Sequence, residues 1–242
     1  MTITVDRSAA DHTLTVAEQC KQDLGDPTLW IERDSMRNSL ALCIIDAIQS
    51  TRSQYSSVAK ILDRYAEYRS GQGSEAEADN ATDLIRSFDD VGGPAEWADA
   101  IGNRRPVSTV QGAPLKAAAI LEAAKVLTTN NIETAEQLRD VVDLGQIREP
   151  WTAIPGQKSG LTWSYLTMLT DVALETPDHL VVRYLGRATA TIKLAPADAA
   201  AILRDVAEHC GHDSDRLAYA IWRFESGRPI GQQVQEEQVQ EE

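Results

Sequence analysis

Positive charge is scarce in this chain. Its 242 residues include 23 lysines and arginines against 37 aspartates and glutamates, a formal net charge of −14. Such a surface repels a polyanion over a Debye length of roughly 10 Å, which counts against strong non-specific nucleic-acid binding. Cysteine is scarce too. Cys20, Cys43 and Cys210 are odd in number and far apart, which fits a reducing compartment and gives no metal-ligand spacing. Cys43, inside Leu40-Ala-Leu-Cys-Ile-Ile, reads as a small buried hydrophobe. His12, His179, His209 and His212 do not form a metal set, so no metal is expected. No apolar run approaches the ~20 residues needed to span a bilayer. The opening Met-Thr-Ile-Thr-Val-Asp-Arg lacks a basic region followed by an apolar core, so no secretory signal is expected. A cytoplasmic protein without a membrane partner is the expectation. No convincing strand pair and no repeat of fixed period is visible.

The composition that remains is that of an ordinary globular protein: 43% hydrophobic and 25% charged. The length allows one large domain or two small ones. The acidity is uneven. The low-complexity tail, residues 232–242, holds four glutamates, and Ser74-Glu-Ala-Glu-Ala-Asp79 forms a second acidic patch. A locally basic face is compatible with the total. The expected organisation is an N-terminal arm and short helix over residues 1–28, a helical domain over 29–231 and the acidic tail.

The fold class expected is all-α. Apolar residues recur at helical spacing at Met36, Leu40, Cys43, Ile44 and Ala47, and again at Val58, Ile61, Leu62 and Tyr65. Asp34-Ser35 is the expected cap of the first of these helices. Residues up to about Asp11 are polar and expected to be loosely ordered, and a short helix is predicted over Val16–Leu24. Further helices are predicted near residues 82–88, 94–101, 116–127 and 134–142, the last opened by a Thr134/Gln137 capping box. Others follow at residues 161–170, 178–187, 196–209 and 215–226. The β-branched stretch Ala188–Leu194 suggests a short extended piece.

One run suggests chemistry as well as packing: Ile154-Pro155-Gly156-Gln157-Lys158-Ser159-Gly160, then an apolar segment, then Asp178. Pro155-Gly156 predicts a tight turn, where glycine supplies a positive φ and close backbone approach. A helix beginning near Ser159 would point its free N–H groups at the turn and suit a phosphate. An isolated turn of this kind is most often only a connector. Asp178, after Pro177, is most simply an N-cap. A carboxylate so placed is also kept ionised, and beside a sugar it could stabilise an oxocarbenium-like transition state. Trp151, Trp163, Tyr165 and Trp222 suit either a helical core or a stacking pocket for a base.

The combined pattern resembles the helix-hairpin-helix DNA glycosylase superfamily, which contains endonuclease III. Ile154-Pro155-Gly156 is similar to the opening of its hairpin. Asp178 falls at the family's catalytic aspartate, and Val181 and Arg183 match the residues after it. Upstream, Ala47-Ile-Gln49-Ser-Thr51 is similar to the family's Ser-Ala-Gln-Ala-Thr segment, and Pro114-Leu-Lys116-Ala117 to its Asn-Ser-Lys-Ala helix start. The resemblance covers roughly residues 33–227. It implies two helical lobes with a cleft, DNA anchored by residues 154–160, and a flipped base read near Gln49 and Trp163. A monovalent cation at the hairpin is implied as well.

The departures define the expected chemistry. Gly160 occupies the position of the family's Schiff-base lysine, so imine formation and strand cleavage are not expected. Lys158 replaces the second hairpin glycine, and the iron-sulphur cysteines of endonuclease III are absent. The expectation is a monofunctional DNA glycosylase in which Asp178 stabilises the sugar cation or activates water. The alternative is a catalytically silent relative that binds DNA, or a protein partner through its acidic surface or tail.

Overall fold

A computed structural model of the chain describes residues 7–31, 38–173 and 176–231. Its regular elements, among the described residues, are α-helices and short 3-10 turns, with only two isolated β-bridges. The chain is all-α. Met36 and the proposed Asp34-Ser35 cap, together with the acidic tail, lie outside the described residues. The chain divides into two compact units, residues 33–173 and residues 1–32 with 174–242.

The unit formed by residues 33–173 is built around α2 (Leu40–Gln49), every residue of which is buried. A helix buried on all sides, here apolar but for Asp46 and Gln49, needs partners all round. Here they are α3 (Tyr55–Gly71), α4 (Ala81–Val91), α6 (Lys116–Thr129) and α9 (Leu161–Leu169). Ser39 caps α2: its Oγ accepts from Leu42 N at 3.2 Å and donates to Ala76 O at 2.6 Å. Helix α4 starts in an Asn80/Asp83 capping box and stops at Gly92 in the left-handed region. Its Phe88 stacks on Trp97 of α5 (Pro94–Ala100) at 4.7 Å. The Thr134/Gln137 capping box forms as expected, but the helix it opens, α7 (Ala135–Arg139), is shorter than predicted. Helix α8 (Gly145–Ala153) leads into the hairpin.

A second feature of this unit is an ion pair in its interior. Arg69 makes a bidentate contact to Asp79, at 2.7 and 2.9 Å, and Tyr65 donates to the same carboxylate at 2.8 Å. This lock ties α3 to the segment before α4. Asp79, the last residue of the supposed acidic patch, is therefore an interior residue, 3% exposed.

The other unit is a cluster of four helices: α1 (Arg7–Leu24), α10 (His179–Ala188), α11 (Pro196–Cys210) and α12 (Ser214–Glu225), each packed on the other three. Helix α1 starts well before the predicted Val16. Its buried positions, Val16, Cys20 and Leu24, follow helical spacing. Trp30 donates its indole N–H to Leu24 O at 2.9 Å, and Ile31 N–H reaches Ile230 O at 2.7 Å. The predicted extended piece at Ala188–Leu194 is not a strand. Thr191 N–H returns to Gly186 O at 2.8 Å and Ala190 adopts φ 53°, closing a turn against α10. A Cβ on Gly186 would lie 3.1 Å from Thr191 O, so glycine makes room for the return.

Candidate nucleic-acid interface

The hairpin between α8 and α9 is held by a relay of side-chain bonds. Trp151 Nε1 donates to Thr162 Oγ1 at 3.0 Å, and that hydroxyl donates to Gln157 Oε1 at 2.7 Å. Gln157 Nε2 turns back to Pro155 O at 3.2 Å. Gln157 is thus 3% exposed and acts as an internal strut of the turn. Gln157 N–H also bonds Ile154 O, and Gly160 N–H bonds Gln157 O, both at 3.0 Å. Ile154 is buried beneath the turn, whereas Pro155, Lys158 and Ser159 are exposed.

Two glycines have positive φ, Gly156 at 83° and Gly160 at 74°. At Gly156 space adds to conformation: a Cβ there would lie 2.5 Å from Val107 Cβ. No other side chain fits without displacing the 103–116 loop. Gly160 is the N-cap of α9, so that helix starts at Leu161, where the predicted apolar segment begins. Ser159 Oγ accepts from Leu161 N at 3.3 Å.

Val107 belongs to a loop that returns on itself. Val107 N–H bonds Pro114 O, and Lys116 N–H bonds Arg105 O, both at 2.9 Å. The loop is tied to the end of α2: Asn103 Nδ2 donates to Gln49 Oε1 at 3.2 Å, Arg105 Nη1 to Ser53 Oγ at 3.1 Å, and Arg52 Nη2 to Pro106 O at 3.1 Å. Arg52 holds φ 54°, uncommon for a residue with a side chain.

Lys116 joins the same segments from below. It is 2% exposed, and its Nζ donates to Gln49 O at 2.8 Å, Thr51 O at 2.5 Å and Ser53 Oγ at 3.1 Å. The ammonium caps the carboxyl end of α2, where carbonyls lack helical partners. Burial, then the charges of Arg52 and Arg105, push its pKa down to about 8.

The structure therefore brings together three sequence features that lie far apart in the chain: Gln49–Ser53, Asn103–Lys116 and the Ile154–Gly160 hairpin. Together they carry Arg52, Arg104, Arg105, Lys116 and Lys158 and not one carboxylate. Arg104 is neutralised from outside by Asp99, at 2.5 and 2.6 Å. Arg148 adds another guanidinium at the edge, 3.4 Å from where a Gly160 Cβ would lie.

Gln49 is fully buried, and among the described residues its Nε2 has no hydrogen-bond acceptor. An unmet buried donor costs about 1–3 kcal/mol and marks a place where a ligand oxygen or nitrogen would be welcome. Trp163 is 6% exposed and packs edge-on against Trp151 at 5.8 Å, within the core.

Asp178 belongs to the other unit. It caps α10: Oδ1 accepts from Leu180 N at 2.8 Å, and Oδ2 lies 3.2 Å from His179 Nδ1. Its side chain is 2% exposed. Of the residues after it, Val181 is buried and Arg183 pairs with Glu225 at 2.7 Å. What sequence reasoning missed is the anchoring role of Lys116 and Gln157. A lysine at a helix start and a glutamine in a turn both look like surface residues, and only the long-range contacts reveal otherwise.

An all-helical protein with a glycine hairpin packed against two further segments that carry basic residues is the class these features define. The chain matches the model of a family described as a domain of unknown function, DUF8548, over residues 14–226, and belongs to that family. Comparison with curated proteins and with solved structures returned no match.

Proposed function

We propose that the chain binds DNA through the surface formed by residues 49–53, 103–116 and 154–160, and acts as a monofunctional DNA glycosylase on a damaged or modified base. The observation that carries this reading is the convergence of three segments that bear Arg52, Arg105 and Lys158 at the surface and Lys116 beneath it, in a chain of net charge −14. A local positive field of this kind attracts phosphate where the rest of the surface repels it. Backbone N–H groups of the Ile154–Gly160 turn and Lys158 would hold the strand. The carbonyls of Ile154 and Gln157 each accept one backbone bond and keep a second lone pair for a monovalent cation. The orphan amide of Gln49 would read the flipped base.

In this reading the fold is helix-hairpin-helix glycosylase-like, with two lobes and a cleft, and Asp178 serves the chemistry. The bond from C1' to the base nitrogen breaks, water adds its oxygen to C1', and the base leaves with a proton. An ionised Asp178 would stabilise the sugar cation or orient that water. With glycine at position 160, no amine is available there for an imine.

The test is base release from duplexes carrying a panel of damaged or modified bases, for the wild type and Asp178→Asn. Release by the wild type and a loss of about 10²-fold or more in the variant is expected. No release from any duplex, or full activity in Asp178→Asn, would overturn the catalytic part. A second reading, a catalytically silent DNA binder, draws on the engagement of both Asp178 oxygens, one capping α10 and the other against His179 Nδ1. It predicts a salt-dependent gel shift without base release. No shift at low salt would point to a protein partner instead.

A further inference from the structure

A groove of about 560 Å³ lies along α10, between its exposed face and the turn that returns over residues 189–194. Its volume is that of a small-molecule site. His179, Arg183 and Arg187 line it at intervals of four residues, so they stand on one helix face about 6 Å apart along the axis. Lys193 faces them from the turn.

The two arginines are already fixed in place. Glu225, whose side chain is 5% exposed, accepts Arg183 Nε at 2.9 Å and Arg187 Nη2 at 2.5 Å. Burial favours the neutral form of Glu225, yet its bonds to Arg187 and Arg183 hold its pKa below the usual carboxylate value. One carboxylate therefore serves two guanidinium groups. Among the described residues, Arg183 Nη1 and Arg187 Nε and Nη1 donate to no protein acceptor. Arg187 also sits over the Tyr184 ring at 5.3 Å. Two more carboxylates stand near the lining: Asp178, buried beside His179, and Asp23 of α1, whose charge acts on Arg187. Beside these charges the wall is apolar: Val182 and Ile192 line it, and Ile192 is 99% exposed.

Pre-placed guanidinium forks with unused donors match the oxygens of a phosphate group. An adjoining apolar wall matches a sugar or a base. We propose that this groove binds the phosphate ester of a nucleotide, with the phosphate on Arg183, Arg187 and Lys193 and the nucleoside against Val182 and Ile192. The site lies in the unit of residues 1–32 and 174–242 and does not depend on the function proposed for the hairpin. The same phosphate chemistry could come from a free nucleotide or from a nucleic-acid strand.

The test is calorimetric titration of the full chain with adenosine 5'-monophosphate and, separately, with a 5'-phosphorylated oligothymidylate. Lys193→Glu alters an exposed turn residue and leaves the Glu225 pairing intact. The double variant Arg183→Gln/Arg187→Gln removes the forks, with thermal melting to follow its folding. Binding of either probe that weakens about tenfold or more in Lys193→Glu supports the site. Binding of the mononucleotide identifies the free nucleotide as the source; binding of the oligonucleotide alone identifies the strand. Lys158→Glu, in the hairpin, should leave mononucleotide binding unchanged. The proposal is overturned if neither probe binds the wild type, or if binding persists at full strength in Lys193→Glu. A loss of mononucleotide binding in Lys158→Glu equal to that in Lys193→Glu also overturns it, since it would place the phosphate at the hairpin.

Discussion

Two interior cations in the unit of residues 33–173 are solved in opposite ways. Arg69 has a carboxylate: Asp79 meets it with two bonds, and Tyr65 completes the set. Burial alone would lower the Arg69 pKa, but Asp79 raises it above the ordinary arginine value. Lys116 has no carboxylate. It is held by two carbonyls and a hydroxyl, and burial with the nearby Arg52 and Arg105 lowers its pKa to about 8. The first arrangement is a lock whose charges cancel internally. The second leaves a net positive charge just beneath the surface that the hairpin, Arg52 and Arg105 share. An uncompensated buried charge is costly, and it is useful where an anion is to be attracted.

The comparison breaks most easily at Asp79. Asp79→Ala leaves the Arg69 guanidinium buried and unpaired, and a loss of about 3–5 kcal/mol in urea denaturation is expected. A loss under 1 kcal/mol would mean that water reaches Arg69 and that the lock is not one. Gly156→Val is expected to follow, at about 2–4 kcal/mol, because the new Cβ meets Val107 and the backbone sits at φ 83°. The same variant should lose DNA binding in a gel shift even at temperatures where it stays folded.

Lys116→Met sharpens the contrast. Removing the ammonium orphans the carbonyls of Gln49 and Thr51, at a cost of about 1–3 kcal/mol near neutral pH. The sign with pH is the reverse of a salt-bridged lysine. Because the folded-state pKa is depressed to about 8 from 10.5, the unfolded chain binds more protons between those values. The lysine's contribution to stability should therefore rise from pH 8 to 10.5, relative to Lys116→Met, and be flat below pH 7. Denaturation curves of both proteins across that range measure it, and a fall with rising pH would contradict the assignment. Thr162→Val, which interrupts the relay from Trp151 to Gln157, should cost about 1–2 kcal/mol. The smallest effect on stability belongs to Lys158→Glu, within about 0.5 kcal/mol. Its effect on DNA affinity should be large, and the slope of log affinity against log salt should fall by about 1.

Much of the local structure is written in adjacent residues. The turn at Pro155-Gly156, the Asp178 cap and the Thr134/Gln137 capping box depend on contacts within a few positions, and all three form. Cys43 was legible as a core residue for the same reason, since its neighbours are apolar. Less legible was anything decided by distant partners. The β-branched Ala188–Leu194 stretch suggests extension, but Gly186 lets the chain fold back on α10 instead. The first helix reaches back to Arg7, through residues whose apolar spacing is too weak to announce it. The site shows the same division. The glycines of the hairpin are visible in the sequence, but not that Val107 closes on one of them or that Lys116 sits beneath Gln49. The cluster of basic residues emerges only when three remote segments meet.

The four-helix unit has a consequence for how the protein is made. Helix α1 leaves the ribosome before residues 33–173, and its partners α10, α11 and α12 follow only after them. At about 5–20 residues per second, the interval between α1 and α10 is on the order of ten seconds. Throughout that time Val16, Cys20 and Leu24, buried in the finished protein, have no partners to cover them. A helix synthesised well before its partners is sheltered late, and the nascent chain carries a sticky segment while residues 33–173 fold. Nascent chains arrested before residue 179 should accordingly associate with a hydrophobic-binding chaperone through α1, and release it once α12 has emerged.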